Sequence, residues 1–258
     1  VSLLVTGSPQ FETQDDFGRG DGICALQQWQ SQFLIKDKDL NLLDFDALGF
    51  DPDVGNIVNR LRSLFDDSTS HGPVILSATD LHDLTCFALH RLLSLPPFTD
   101  AQSSNTSECL RHAVAAYMFI VHGATYYSHV HILNALITQL QFHLESLLSS
   151  GECQDSLLLW YVSVGTVAST GTNESHWFRR KAIALSVALG LQCWDDVETH
   201  LKRVLWFEAR SQVLFQRVWE GILMSNLSLH NLATPENGER PRNFSNTAAW
   251  HTPESSPI

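Results

Sequence analysis

From Leu157 to Val167 the chain reads Leu-Leu-Leu-Trp-Tyr-Val-Ser-Val-Gly-Thr-Val, apolar almost without a break. Wound as a helix, this run is apolar on nearly every face, and such a helix belongs in a protein interior. A buried strand is the competing conformation, because Tyr161, Val162 and Val164 favour extended backbone. The length of the run favours helix. Gly165 and Ala168, three apart, would share a face that lets a neighbouring helix approach closely.

The segments on either side read as helical packing material. Ile23, Leu26, Trp29 and Phe33 step by three and four, and Val54, Ile57, Val58, Leu61, Leu64 and Phe65 make a second stripe. Between them, Leu40 to Phe50 reads as a turn-rich link. Ser77 or Thr79 caps a third helix, with Asp80 in its first turn, and Pro96-Pro97 stops it. A polar link from Phe98 to Asn105 follows, then a helix capped by Thr106 or Ser107. Tyr126-Tyr127-Ser128 marks a break before a long leucine-rich helix through Leu148.

Asp155 or Ser156 opens the apolar helix, and Gly171 ends it. Ser175 caps Trp177 to Leu189, and Gly190 stops that helix. Trp194-Asp195-Asp196 opens another, with Val197, Leu201, Val204 and Leu205 inward. A last helix runs through Val213, Leu214, Val218, Ile222 and Leu223, with Trp219 beside it. The expectation is an all-α fold: a flexible lead-in at 1–20, a single multi-helix domain over 21–230 and a disordered tail at 231–258. With 258 residues and 44% hydrophobic content, a sizeable core is within reach.

Composition narrows the function classes. The net charge of -12 argues against nucleic-acid binding by bulk electrostatics, which needs clustered Lys and Arg. Arg179-Arg180-Lys181 is short and reads as a solvated face. The five cysteines are widely spaced with no C-x-x-C, which fits a reducing compartment better than a disulfide framework or zinc site. No signal-peptide pattern opens the chain, and no apolar run is long enough for a bilayer, so a soluble protein without membrane contact is expected. There is no phosphate-binding glycine loop and no nucleophile-elbow pattern. No cofactor is expected and no enzyme class is indicated.

One region carries a family likeness. It runs through Leu158-Leu159-Trp160, Gly165, Ala168, Gly171-Thr172 and Trp177-Phe178. It continues through Leu189-Gly190-Leu191, Trp194-Asp195-Asp196-Val197 and Leu201-Lys202-Arg203-Val204-Leu205-Trp206. In that order these residues resemble the regulatory domain of fungal-specific transcription factors, the helical region that accompanies a zinc binuclear cluster. The resemblance implies a nuclear, all-helical module that regulates transcription, sensing a small molecule or working with a homodimer or transcription partner. The six closely spaced cysteines of the zinc cluster are missing, so direct nucleic-acid binding is not assigned to this chain. The chain is then either a piece lacking that segment or a stand-alone, cytoplasmic protein putting the fold to another use, as a small-molecule binder or enzyme.

For that second use, His122 and Tyr126 would share a face if their helix continues, and a deep cavity should lie within their reach. Trp160 and Trp177 are candidate aromatic pocket walls, although tryptophans at such positions more often serve as core. No metal is assigned. His122, His129 and His131 straddle a helix break, and His82 and His90 lie about two turns apart, too far for one ion.

Overall fold

The computed structural model describes Ala25, Leu26, Trp29 and residues 42–65, 76–96, 101–123, 130–151 and 153–233. The lead-in at 1–20 and the tail beyond Ala233 lie outside the described residues, as do Ile23 and Phe33 of the first expected stripe. Among the described residues, all regular structure is helical.

Eight helices appear in chain order there: α1 Pro52–Phe65, α2 Ala78–Ser94, α3 Ala101–His122, α4 Val130–Ser150, α5 Asp155–Ala168, α6 Ser175–Ala188, α7 Trp194–Lys202 and α8 Glu208–Ala233. Two are central. α3 packs against α1, α2, α4, α5 and α8, while α5 packs against α3, α4, α6, α7 and α8. Twelve residues of the 14-residue α5 are buried, so the apolar run is a core helix and not a strand.

Local sequence explains most of the boundaries. Pro52 occupies the first position of α1, where its missing N–H costs nothing, and the Asp51 carboxylate accepts from the N–H groups of Asp53 and Val54 at 2.9 and 3.3 Å. At the start of α2 a reciprocal capping box forms. Asp80 N–H donates to Ser77 Oγ at 3.1 Å, and Ser77 N–H donates to Asp80 Oδ2 at 3.0 Å. α6 ends in a paired-bond C-cap: Leu191 N–H reaches Ser186 O at 2.9 Å and Gly190 N–H reaches Val187 O at 3.2 Å. That closure places Gly190 at φ +66°, which glycine adopts without strain.

Several boundaries depart from expectation. α3 begins at Ala101, so Thr106 and Ser107 lie inside it and cap nothing of their own. Ser107 Oγ instead accepts from Asp51 N–H at 3.0 Å, serving the entry to α1. Ser175 is the first residue of α6 rather than its cap, which is Glu174, whereas Asp155 opens α5 as expected. α8 presents Ser211, Phe215, Trp219, Ile222 and Leu223 to the core, leaving Val213 and Leu214 at 77% and 47% exposure. The two large aromatics outweigh the smaller pair in choosing the buried face.

The link Arg203–Phe207 between α7 and α8 is non-helical, and its last four residues are buried. Several of its backbone groups are paired from elsewhere. Arg62 donates to the carbonyls of Arg203 and Val204, Leu43 N–H donates to Arg203 O, and Trp160 Nε1 donates to Leu205 O at 2.8 Å. Phe207 N–H donates to the Tyr117 hydroxyl at 2.8 Å, which lies 2.7 Å from Ser211 Oγ. Tyr117 is fully buried, with its ring 5.6 Å from that of Trp160. Tyr117→Phe strands a buried N–H, and urea unfolding should register a loss of about 1–3 kcal/mol.

Gly165 lets α6 close on α5. A Cβ there would overlap the Phe178 ring, whose far carbon Cζ would sit only 2.7 Å away. The close approach expected for this face is therefore made by a side chain. Gly165→Ala should destabilise the fold by about 1–3 kcal/mol. Adding Phe178→Leu should recover part of that loss, measured in the same denaturant series.

Candidate functional site

The polar group of most chemical interest lies in the extensive interface between α3 and α4. Asn105, Glu108 and His112 follow one another at three and four residues on α3, so they line one side of the helix. His143 meets them from α4, and its Nδ1 is 3.1 Å from Asn105 Oδ1. The His112 and His143 rings stack with centroids 5.5 Å apart and planes 18° from parallel. His112 Nδ1 lies 2.8 Å from the carbonyl oxygen of Glu108 and 3.5 Å from its Oε2. Arg111 Nη2 is 2.7 Å from the same Oε2, while Nη1 donates to Leu95 O at 2.8 Å, tying the group to the end of α2.

Electrostatics keep both rings neutral at neutral pH. Burial pulls the His112 imidazole down to about 4, and the Arg111 charge pulls the same way against the hydrogen bond to Glu108 O. His143 is lowered too, chiefly by burial and then by the Arg111 charge. Each Nδ1 faces an oxygen that can only accept. Each ring therefore carries its proton on Nδ1 and leaves its lone pair on Nε2. Glu108, His112 and His143 can each bring one ligand atom within 4.8 Å of the others.

Among the described residues, the candidates His122, Trp160 and Trp177 have separate partners. His122 is the last residue of α3, because Gly123 follows at φ +78°. The helix thus ends at His122, and Tyr126 lies outside the described residues, with Tyr127 and His129. His122 Nε2 instead lies 3.1 Å from His82 Nδ1, and His82 Nε2 is 3.6 Å from Cys86 Sγ. Trp160 is fully buried. Trp177 is half-buried, edge-on to Phe178 at 4.8 Å with Lys181 5.5 Å above its ring.

A shallow depression of about 370 Å³ lies at the α6–α7 corner, lined by Leu189–Gln192, Asp196, Thr199 and His200. None of His122, Trp160 and Trp177 borders it. Its carboxylate is spent on helix capping: Asp196 Oδ2 accepts from the N–H groups of Gln192 and Cys193 at 2.8 and 3.1 Å. Those bonds hold the Asp196 carboxyl below the usual carboxylate range. Among the described residues, Cys86, Cys109, Cys153 and Cys193 are free thiols. No described helix is long and apolar enough to cross a membrane.

Sequence reasoning passed over Glu108, His112 and His143. The available signal was Glu108-x-x-x-His112 inside an alanine-rich and valine-rich helix, where two polar groups one turn apart face the interior. A cap at Thr106 or Ser107 would make Glu108 a first-turn acid, whereas the helix begins at Ala101 and Glu108 is buried inside it. His143, 31 residues further on, needed the helix pairing to be known.

These histidines make stability pH-dependent. The folded state holds His112 near 4, whereas an unfolded imidazole titrates near 6.5, so the unfolded chain binds the proton first. Stability is complete above the unfolded value and falls as the pH drops from 6.5 towards 4, by on the order of 3 kcal/mol for His112. Urea midpoints across that window should show the loss, and His112→Gln should flatten the slope.

No protein-family model, no curated protein and no solved structure matches this chain.

Proposed function

We propose that this chain is a regulatory helical domain of the fungal transcription-factor type, working through a bound ligand or partner and without a DNA-binding segment of its own. The observation that carries the reading is the ordered series from Leu158 to Trp206. Its residues act as one packing unit. Trp160 donates to Leu205 O, Gly165 receives the Phe178 ring, Leu191 closes the α6 cap, and the Trp194 and Trp206 rings meet at 6.1 Å. In such a domain these letters serve architecture, and the regulatory contact lies elsewhere on the scaffold. Nuclear residence belongs to this reading.

A reporter assay tests it. Residues 21–230 joined to an unrelated DNA-binding domain should change transcription several-fold in a fungal host, or do so when a metabolite extract is supplied. Baseline output under all conditions, together with exclusion of the native protein from the nucleus, would reject the reading.

A further inference from the structure

We propose that Glu108, His112 and His143 form a site for one divalent transition-metal ion of the zinc class, with Asn105 as a positioning residue. This inference stands apart from the regulatory reading, and either can fail without the other.

Two imidazoles and one carboxylate are the donor set that borderline metals prefer, and that Mg²⁺ and Ca²⁺ do not. The donors come from two helices that pack extensively on each other, so the backbone already holds them together. Ligand atoms on a tetrahedral zinc at about 2.0 Å lie roughly 3.3 Å apart. Here one ring nitrogen of each imidazole and a carboxylate oxygen lie within 4.8 Å of one another. His143 is half-buried, and its ring must tilt out of the stack with His112 to take up the difference while Nδ1 stays on Asn105 Oδ1.

The surroundings have the form of a metal site's outer shell. Metal-binding imidazoles nearly always give their second N–H to a carbonyl, carboxylate or amide oxygen, which fixes the tautomer and aims the lone pair. His112 and His143 do this through Glu108 O at 2.8 Å and Asn105 Oδ1 at 3.1 Å. Three protein ligands leave a fourth position for water or a small anion.

Arg111 sets the terms of loading. Its guanidinium holds Glu108 Oε2 at 2.7 Å and Leu95 O at 2.8 Å. A carboxylate has lone pairs for both a guanidinium and a metal, but the two cations repel. An incoming ion therefore weakens the Arg111–Glu108 bridge, and the contact with the end of α2 responds to occupancy.

The full chain, stripped with a chelator and desalted, is titrated with Co²⁺ followed by visible absorption, and with Zn²⁺ followed by calorimetry. One equivalent should bind with a Kd of about 1 μM or below, and Mg²⁺ should give no response. His143→Gln should weaken binding by at least ~100-fold, and Asn105→Ala by about tenfold. His82→Gln, which removes the separate His82–His122–Cys86 group at the far end of α3, should bind like wild type. Circular dichroism and the metal-free melting point show whether each variant is folded. X-ray absorption on the zinc-loaded wild type needs no variant, and should show a nitrogen and oxygen shell with two imidazoles. Absence of Co²⁺ binding to wild type overturns the proposal. So does wild-type affinity in folded His143→Gln, or sulfur in the zinc shell.

Discussion

Five residues of irregular chain, Arg203 to Phe207, run through the middle of this protein, and their backbone polar groups have to be satisfied away from water. Helices satisfy their own backbone, but a buried link cannot. Its partners are recruited from far along the chain: Leu43, Arg62 on α1, Tyr117 on α3 and Trp160 on α5. Arg62 suits the task because a guanidinium offers several donors in a fixed fork. It reaches the carbonyls of Leu43, Arg203 and Val204 while its plane lies 4.1 Å over the Phe45 ring. Satisfying one stretch of backbone thus fixes how three helices and the 42–50 turns sit around it.

Where burial follows a simple period, the sequence could be read. All six residues of the Val54–Phe65 stripe are buried, because a single apolar face meets the core there. α5 was legible for the opposite reason, since a run with no polar face has only an interior to occupy. Legibility failed where a polar residue serves a distant segment. Ser107 looks like a cap for its own helix, yet its partner is Asp51, 56 residues earlier. Propensity treats such a residue as local, and only the tertiary pairing reveals the true recipient. The inward face of α8 was misread by a related failure. Val213 and Leu214 are as apolar as Phe215 and Trp219, and volume decides which pair the core accepts.

The α3–α4 seam is harder still to foresee, because its members mean little singly. Apolar surfaces lined by Ala, Val and Leu leave the sliding of one helix along another weakly determined, and a polar contact at one level pins it. The Arg111–Glu108 pair lies within α3, and the polar contacts that cross to other elements are Asn105–His143 and Arg111–Leu95 O. The seam ties three helices at one height: α3 through Glu108, α4 through His143 and α2 through Leu95. A group that fixes register already holds its donors in place, which is the condition a metal ion needs as well.

α5 is wrapped by α3 and α4 on its N-terminal side of the sequence and by α6, α7 and α8 on the other. A ribosome delivers those two sets of neighbours in that order. When α5 emerges, half of its jacket exists and half has yet to be made, including Phe178 for Gly165 and Trp219, whose indole N–H meets Ser163 Oγ at 3.0 Å. For about 50 further residues the nascent chain carries an apolar helix with no finished home, the state in which domains of this size attract chaperones or neighbouring chains. The helix that makes the finished fold secure is therefore its most exposed liability during synthesis.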